Sequence, residues 1–365
     1  MLNVGFGIHI SCILSCALLV NREGHTLEYT SPVIWRMLIM GNNKVLEVKD
    51  LVTTFRIEKK EYEVLRGVSF DLHENETLCM VGESGCGKSV TTLAVMDLLP
   101  NNGRVVSGSI KLNGQELTEM SKKERNALRG KQMGMIFQEP MTALNPLLTI
   151  GRQMTESLML HRGMSKKEAK QTAISYLEKV GIANPEDRLK QYPFQLSGGL
   201  RQRIMIAMVM AVQPSLLIAD EPTTALDVTI QKQVLVLLNK LKKDVSTGVL
   251  FITHDLGVVA EIADRVIVLY SGRKVEEGTI EMIFAHPQHP YTIGLMNAVP
   301  NVELDDFDIQ PIPGTFPNIT EEIGGCRFHP RCPYATDRCR AEIPEEIEIE
   351  PGHFVCCHKV EEEHK

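Results

Sequence analysis

The feature that most constrains this chain is a glycine-rich segment, Gly82-Glu-Ser-Gly-Cys-Gly-Lys-Ser89. The apolar stretch Thr77–Val81 before it predicts a buried strand, and the residues after it predict a helix from about Lys88 to Leu98. Glycines let backbone N–H groups turn inward around phosphate oxygens, while the lysine reaches the outer phosphates and the serine hydroxyl binds Mg²⁺. The sequence therefore predicts a nucleotide-binding α/β core. The candidate nucleotide-binding residues are Gly82, Glu83, Ser84, Gly85, Cys86, Gly87, Lys88, Ser89 and Val90.

A second acidic position agrees with this loop. Leu216–Asp220 is an apolar run that ends in a carboxylate, and Glu221 follows it directly. Asp220 is placed to hold Mg²⁺ through its water shell, as the second acid of P-loop ATPases does. Glu221 would lie at the strand end, where a carboxylate can orient and activate an attacking water. Together the two sites predict a P-loop NTPase, a class that includes kinases, GTPases and helicases.

The organisation of the chain fits such a core with an insertion. Val64–Leu72 predicts a strand, and Gly103–Leu112 predicts a hairpin. Ser121 and Glu124 have the spacing of a helix-capping box. Val249–Thr253 is a continuous apolar run, which suits a parallel strand buried on both faces.

A helical segment interrupts the pattern of strands. Residues from about 139 to 200 are rich in Met, Leu, Lys and Glu, and Ser165–Val180 has the spacing of an amphipathic helix. We therefore expect three parts: an amino-terminal tail over residues 1–43, an ATPase domain over 44–285 with this helical subdomain inside it, and an extension over 286–365.

The amino-terminal tail does not resemble a targeting segment. Val4–Val20 is apolar but lacks a basic start, and it is shorter than the roughly 20 residues of a membrane span. Our interpretation is a start codon placed too early, with Met37 or Met40 standing just before the first convincing strand, Val45–Val48. A real anchor or tail is the alternative.

Composition excludes some partners and bounds the cysteine chemistry. The net charge is -7 and no basic stripe is present, which disfavours nucleic-acid binding. The chain has nine cysteines, five of them from Cys326 to Cys357. A protein that uses ATP works in the reducing cytosol, so this group predicts a metal or cluster site rather than disulfides.

The segment Leu196-Ser-Gly-Gly-Leu-Arg-Gln-Arg203 resembles the signature sequence of ABC ATPases. The resemblance implies a RecA-like P-loop core with an antiparallel β subdomain and a helical insertion. It also implies a head-to-tail dimer, in which Ser197, Gly198 and Gly199 cap the ATP held by the partner's loop. Other positions match family motifs: Gln138 would contact Mg²⁺ and the attacking water, His254 would lie beside the γ-phosphate, Asp227 in Ala225-Leu-Asp227 would cross the dimer interface, and Phe55 would stack on adenine.

The carboxyl-terminal residues resemble one branch of that family, the oligopeptide/dipeptide permeases. The similar segments are Gly325–Ala335, His286–Thr292, Pro311–Gly314 and, within the core, Glu139–Pro146. The resemblance implies an ATPase on the cytoplasmic face of the membrane, paired with a sibling or a second copy beneath two transmembrane permeases, and served by an extracytoplasmic peptide-binding protein. An importer of nickel or another small solute, a soluble ABC ATPase and an inactive cassette are the alternatives; the intact Lys88, Asp220, Glu221 and His254 disfavour the last.

The resemblance also selects four of the late cysteines. Some relatives carry a 4Fe–4S cluster on matching positions, which implies Cys326, Cys332, Cys339 and Cys357 as ligands. Four thiolates suit either such a cluster or tetrahedral Zn²⁺, and a site without metal is the third possibility. A metal here would act as a local staple for a tail with little core.

Overall fold

The computed structural model describes residues 43–139, 143–224, 227–298 and 311–364. Our expectations for the tail before Asn43, for Pro140–Thr142 and for Ala225–Leu226 concern residues outside this part. The strands are β1 (Lys44–Ile57), β2 (Lys60–His73), β3 (Thr77–Val81), β4 (Gly103–Leu112), β5 (Gln115–Glu116), β6 (Met133–Ile136), β7 (Leu216–Asp220), β8 (Gly248–Ile252), β9 (Arg265–Tyr270), β10 (Arg273–Thr279), β11 (Ile347–Glu350) and β12 (His353–Val355). The helices are α1 (Lys88–Val95), α2 (Lys122–Leu128), α3 (Ile150–Arg162), α4 (Lys166–Lys179), α5 (Pro185–Arg188), α6 (Gly198–Ala211), α7 (Val228–Val245), α8 (Leu256–Ile262), α9 (Ile280–Ala285), α10 (Pro290–Asn297), α11 (Asp337–Ala341) and α12 (His358–Glu363), with 3₁₀ turns at Pro193–Gln195 and His329–Arg331.

The larger sheet carries the predicted parallel core. Its order is β11-β12-β10-β9-β3-β8-β7-β6, and the five strands from β9 to β6 run parallel. Strands β3 and β8 are buried along their whole length, which is why both are continuous apolar runs in the sequence. Parallel strands bring their carboxyl ends to one edge, so β3 and β7 deliver the glycine-rich loop and Asp220 to the same edge.

A four-stranded antiparallel sheet, β2-β1-β4-β5, packs over this core. The hairpin expected within Gly103–Leu112 is wrong: these residues form one strand, β4, along β1. The turn lies just beyond, at Asn113 and Gly114, which both have positive φ and lead into β5. Asn-Gly is the sequence favoured for a two-residue hairpin turn, and the glycine at 108 marks an irregularity inside β4 rather than its end.

The helical insertion follows the predicted pattern. Helix α4 begins after Ser165, whose side chain accepts from the Glu168 N–H while Glu168 bonds back to Ser165. The same reciprocal capping occurs at Ser121 and Glu124 before α2, as the spacing predicted. Helices α3, α4 and α6 pack on one another. The buried side chains of this insertion include Met154, Leu158, Ala169, Ala173 and Leu177.

The carboxyl-terminal extension joins the core, contrary to our expectation of a tail with little core. Strand β12 pairs with β10 and so continues the larger sheet. Phe328 and Tyr291 are almost completely buried in the main hydrophobic cluster. Ring contacts of 4.7 to 5.1 Å join Tyr270 of β9 to Tyr291, Phe316 and Phe328. The extension therefore shares the core of the ATPase. None of the helices in the described ranges is long and apolar enough to cross a membrane.

Candidate functional site

The glycine-rich loop is bent so tightly that two of its glycines are sterically required. Gly82 has φ 145°, and a Cβ there would lie 2.3 Å from the Leu269 carbonyl oxygen. Gly87 has φ 112°, and its Cβ would meet the Leu65 side chain at 2.8 Å. Positive φ is accessible to glycine at little cost but strained for other residues. The sequence thus produces a curled loop directly before α1, with Gly87 preceding the first residue of the helix.

Lys88 lies inside this curl. Its side chain is largely buried, and Nζ donates to the carbonyl oxygens of Gly82 at 2.6 Å and Glu83 at 3.1 Å. The ammonium group is therefore held among backbone groups of the loop, at the amino terminus of a helix where anions are favoured. This position of Lys88 is the one expected from the sequence, in which a strand precedes the glycines and a helix follows them.

Ser89 and Asp220 meet at the edge of the sheet. The Ser89 hydroxyl donates to Asp220 Oδ1 at 3.2 Å, although the residues are far apart in sequence. Burial and the neighbouring Glu221 raise the pKa of Asp220, against the Ser89 hydrogen bond and the charge of Lys88. A hydroxyl and a carboxylate whose charge lacks full compensation form an oxygen donor set of the kind that Mg²⁺ prefers. The residues present therefore fit a magnesium ion.

Glu221 is the centre of a polar cluster. Its Oε1 contacts His254 Nδ1 at 3.0 Å, and its Oε2 accepts from Gln138 Nε2 at 3.1 Å and Thr224 Oγ1 at 3.1 Å. The structure therefore brings together the three residues predicted to act at the reaction, Glu221, His254 and Gln138. Glu221 also has φ 46°, a left-handed conformation that costs energy outside glycine. Such strain is common where a side chain must be aimed at a reacting group.

The signature segment lies at the start of α6. Ser197 caps that helix by accepting from the Leu200 N–H, and a Cβ on Gly199 would meet Ile230 of α7 at 3.3 Å. Asp227 caps α7 in the same way. Within the described ranges, no hydrogen bond or ion pair joins Ser197–Gly199 to the glycine-rich loop. These residues form the N-terminus of α6, a place where backbone N–H groups favour an anion.

Phe55 lies on β1, opposite Tyr62 of β2 and Gly103 of β4. A Cβ on Gly103 would lie 2.9 Å from the Phe55 ring, so the absence of a side chain at 103 gives this ring its place. Its stacking on adenine stays a prediction.

Four cysteines of the extension line one small cavity: Cys326, Cys332, Cys339 and Cys357. Burial raises the pKa of the Cys326 thiol to about 11, and the other three thiols of the cavity add to the effect. Burial also raises the pKa of Cys332 and Cys357. Cys356 lines a different cavity, beside Arg273.

The cavity shows no arrangement ready for a single ion. Among the residues that the structure describes, no three Cys, His, Asp or Glu side chains are close enough together to hold one metal ion. The Cys326 N–H donates to the Cys339 carbonyl at 2.8 Å, which ties two of the four positions together through the backbone. All seven cysteines in the described ranges are free thiols.

Sequence reasoning missed three side chains that touch the loop from the extension, namely Tyr291, Phe316 and Arg331. Tyr291 Oη accepts from the Glu83 N–H at 2.8 Å, and Arg331 pairs with the Glu83 carboxylate. Tyr291 and Arg331 stand in segments that we singled out for their resemblance to one branch of a family. No pattern within those segments indicates that they fold back onto residue 83.

The loop, the paired acids and the cluster around Glu221 define a P-loop ATPase. A model of the ABC transporter family matches residues 65–224, and a model of the oligopeptide/dipeptide transporter C-terminal region matches residues 275–339. The Oligopeptide transport ATP-binding protein OppD of Salmonella typhimurium is 48% identical over 321 residues, which cover 88% of this chain and 95% of that protein. The Dipeptide transport ATP-binding protein DppD of Bacillus subtilis is 49% identical over 315 residues, covering 86% and 94%.

A solved structure agrees on the fold. The ATP-binding cassette MJ0796, solved as a dimer in a post-hydrolysis state bound to ADP and Pi, has a TM-score of 0.58 at 28% identity; the match covers 64% of this chain and 98% of that cassette. This chain belongs to the ABC transporter ATP-binding proteins of the oligopeptide/dipeptide transporter family. The predicted fold class, a P-loop α/β core with an antiparallel β subdomain and a helical insertion, is confirmed.

Proposed function

We propose that this chain is the ATP-hydrolysing subunit that powers the import of dipeptides or oligopeptides through a membrane permease complex. The observation that carries the choice of substrate is the oligopeptide/dipeptide C-terminal region at residues 275–339, on a chain whose curated relatives are named for peptide transport. The ATPase core alone would not distinguish peptides from another small solute.

The residues around Lys88 and Asp220 would bind the nucleotide. Lys88 and the loop N–H groups from Gly85 to Val90 would bind the β- and γ-phosphates, with Glu83 and Ser84 completing the turn. Ser89, Asp220 and Gln138 would hold Mg²⁺, the last two in part through water. When bound, the ion would neutralise charge on the phosphate oxygens. Phe55 would stack on the adenine ring.

Glu221 would orient the attacking water and receive its proton. A carboxylate directly after the β7 strand is suited to this role, and its contacts with His254 and Gln138 limit its rotation. His254 would also lie beside the γ-phosphate, so that its contact with Glu221 would change when that phosphate is bound or lost.

The second phosphate-binding element would act between chains. Ser197, Gly198 and Gly199 would cap the ATP held by a second ABC ATPase, and Asp227 would lie at the same interface. ATP would then favour the closed dimer, and hydrolysis would favour its opening. The partner is a sibling ATPase or a second copy of this chain.

The helical insertion offers a surface for the two permease subunits. Met159 and Leu160 are exposed there and line a groove between α3 and α4. Exposed apolar side chains beside a groove are typical of a partner site. The ATPase would bind the cytoplasmic face of the membrane through this groove, and an extracytoplasmic binding protein would supply the peptide without touching this chain.

The cysteine cavity would hold a 4Fe–4S cluster on Cys326, Cys332, Cys339 and Cys357. Four thiolates would also suit tetrahedral Zn²⁺, so the choice of a cluster rests on the resemblance to relatives that carry one. The four cysteines around this cavity supply the number of thiolates that a 4Fe–4S cluster needs. Zinc is the alternative metal, and its detection in the purified protein would reject the proposed cluster.

The test of the proposed function is uptake. The gene is deleted in its native host, and the uptake of labelled dipeptides, oligopeptides and Ni²⁺ is measured side by side, with complementation by the wild-type gene and by a Lys88→Ala variant. We expect peptide uptake to be lost, restored by the wild type and not by the variant. Loss of Ni²⁺ uptake with peptide uptake intact would overturn the choice of substrate but not the ATPase.

A further inference from the structure

The carboxyl-terminal extension contacts the phosphate-binding loop at Glu83, the residue after the first glycine. Arg331 forms a two-pronged ion pair with it: Nη1 lies 2.7 Å from Glu83 Oε2, and Nη2 lies 3.1 Å from Oε1. The Tyr291 hydroxyl accepts from the Glu83 N–H at 2.8 Å. The Phe316 ring packs beside Gly85, 3.8 Å from where a Cβ would stand. One face of the loop is therefore built by residues far away in sequence.

Arg331 is held in place before it meets Glu83. Its Nε donates to the Pro313 carbonyl at 2.9 Å, its Nη2 reaches the Ile312 carbonyl at 3.4 Å, and its guanidinium lies 5.9 Å from the centre of the Tyr270 ring. Only 7% of the residue is exposed. Exposed ion pairs contribute little because they must immobilise two mobile side chains. Here the arginine is already ordered, and a planar guanidinium matches a carboxylate through two bonds.

The same residue is linked to the phosphate-binding lysine. Lys88 Nζ donates to the Glu83 carbonyl oxygen, while the Glu83 carboxylate pairs with Arg331. Movement of Glu83 would thus disturb a backbone oxygen that positions the Lys88 ammonium. Without Arg331, an unpaired carboxylate would also stand in a loop that must accept a polyanion, which would repel it.

We infer that Arg331 is a positioning residue for ATP: by pairing with Glu83, the extension fixes the first turn of the phosphate-binding loop in its binding shape. This inference rests on the proposed function, since it takes ATP as the ligand of the loop. It makes the extension a part of the nucleotide site. Because the coupling is reciprocal, bound ATP also stabilises the segment that carries Arg331.

The experiment compares two arginines of the extension that each directly precede a cysteine of the cavity. Arg331→Met removes the pair with Glu83. Arg338→Met is the matched control, because Arg338 precedes Cys339 but pairs with Glu361 and Glu342, within the extension. For each purified chain, the Kd of a fluorescent ATP analogue, the KM for ATP, kcat and the thermal midpoint without nucleotide are measured.

We expect Arg331→Met to raise both the Kd and the KM by roughly ten-fold, the size of one charge-assisted hydrogen bond, with kcat little changed. The control should keep wild-type values. Adding Glu83→Gln to Arg331→Met should recover part of the affinity, because it removes the unpaired carboxylate. A purely structural ion pair would lower the thermal midpoint and leave the KM of the folded protein unchanged.

Three results distinguish the inference about Arg331 from the proposed function of the chain. Wild-type affinity in a folded Arg331→Met chain overturns the inference and leaves the proposed function intact. Failure of the wild-type chain to bind ATP overturns the proposed function instead. If Arg331→Met does not fold, Arg331→Lys is the second variant, because it keeps the charge but not the two-pronged geometry. A rise in its Kd of less than ten-fold supports the inference, and a wild-type Kd overturns it.

Discussion

The glycine-rich loop and the cysteine cavity are both places where a few residues converge, but they are assembled differently. The loop is a continuous segment between a strand and a helix, and its shape follows from glycines at 82 and 87. In the cavity, Cys339 lies in the short helix α11, Cys332 directly follows a 3₁₀ turn, Cys357 directly precedes α12 and Cys326 stands in a loop. The comparison shows that local backbone geometry curls the first site, although the extension completes one face of it at Glu83. The second site exists only when distant parts of the extension fold together.

The largest expected effect concerns Glu221, which lies at the same edge of the sheet as the glycine-rich loop. Glu221→Gln should keep ATP binding, reduce turnover by roughly 10²- to 10⁴-fold and trap a nucleotide-bound dimer, because the amide cannot accept the proton from water. Steady-state ATPase assays and size-exclusion chromatography with ATP would measure both effects. Glu261→Gln, an exposed change on α8, is the control. Wild-type turnover in Glu221→Gln would remove Glu221 from its proposed role.

The second prediction concerns the cavity itself. Anaerobically purified protein should carry iron and acid-labile sulfide, and Cys332→Ser should lose both, because each cluster needs four thiolates. Cys356→Ser is the matched control, since Cys356 is adjacent to Cys357 in the chain but does not line the cavity that the four proposed ligands share. Iron and sulfide analysis with ultraviolet–visible spectra would decide. One zinc per chain, or no metal, would reject the cluster.

A third prediction tests whether the extension really shares the core. Phe328→Ala should lower the free energy of unfolding by about 3 kcal/mol, the cost of a cavity left by a buried phenylalanine. Its ring contacts Tyr270 of β9 and Tyr291 of α10. Denaturant titration followed by circular dichroism would measure the loss, with the half-exposed Ile343→Ala as the control. An unchanged unfolding curve would mean that the extension folds separately from the ATPase.

The smallest effect concerns pH. His353 on β12 bonds through Nε2 to the buried Glu276 of β10 at 2.8 Å. Burial opposes its charge, but the hydrogen bonds to Glu276 and Glu350 outweigh it and raise its pKa above the ordinary value of 6.5. A raised histidine pKa stabilises the folded state fully below that ordinary value, and the contribution is lost as pH rises through the folded pKa.

We therefore expect the amide protons of β12 to exchange faster, relative to the intrinsic rate, as the pH rises from 6 to 8. His353→Gln should remove this pH dependence. His289→Asn should retain it, because burial lowers the pKa of His289 to about 4 and keeps it neutral across that range. Equal protection of β12 at both pH values in the wild type would contradict the prediction.

Sequence reasoning went furthest where residues adjacent in the chain act together. Strands β3 and β7, the capping of α2, helix α4 and the loop before Lys88 all follow from local patterns. The convergence of Gln138, Glu221 and His254 was predicted only through the family resemblance. In the structure the Glu221 carboxylate lies 3.1 Å from Gln138 Nε2 and 3.0 Å from His254 Nδ1. The roles of these residues stay predictions until the variants are measured.

The extension is where sequence reasoning stopped short. Its prolines and cysteines indicate turns and a metal site, but β11 and β12 are too short to give a periodic signal. Arg331 lies between two cysteines, so its neighbours drew attention to metal rather than to Glu83. The pairing of residues 83 and 331 joins positions 248 apart in the chain and is not encoded in any local spacing.

Because β11 and β12 extend the larger sheet, they determine which strand is exposed at its edge to other molecules in the cell. Any open sheet ends in a row of unpaired backbone groups, which is a template for adding a strand from another molecule. At one of the two edges of the larger sheet that row belongs to β11, a strand of only four residues, Ile-Glu-Ile-Glu, with prolines at 344 and 351 close to its two ends. Short length, repeated negative charge and flanking prolines all discourage intermolecular pairing. The ATPase therefore ends its sheet in a strand that repels copies of itself, and removal of the last twenty residues or so would instead uncover β10 and invite aggregation.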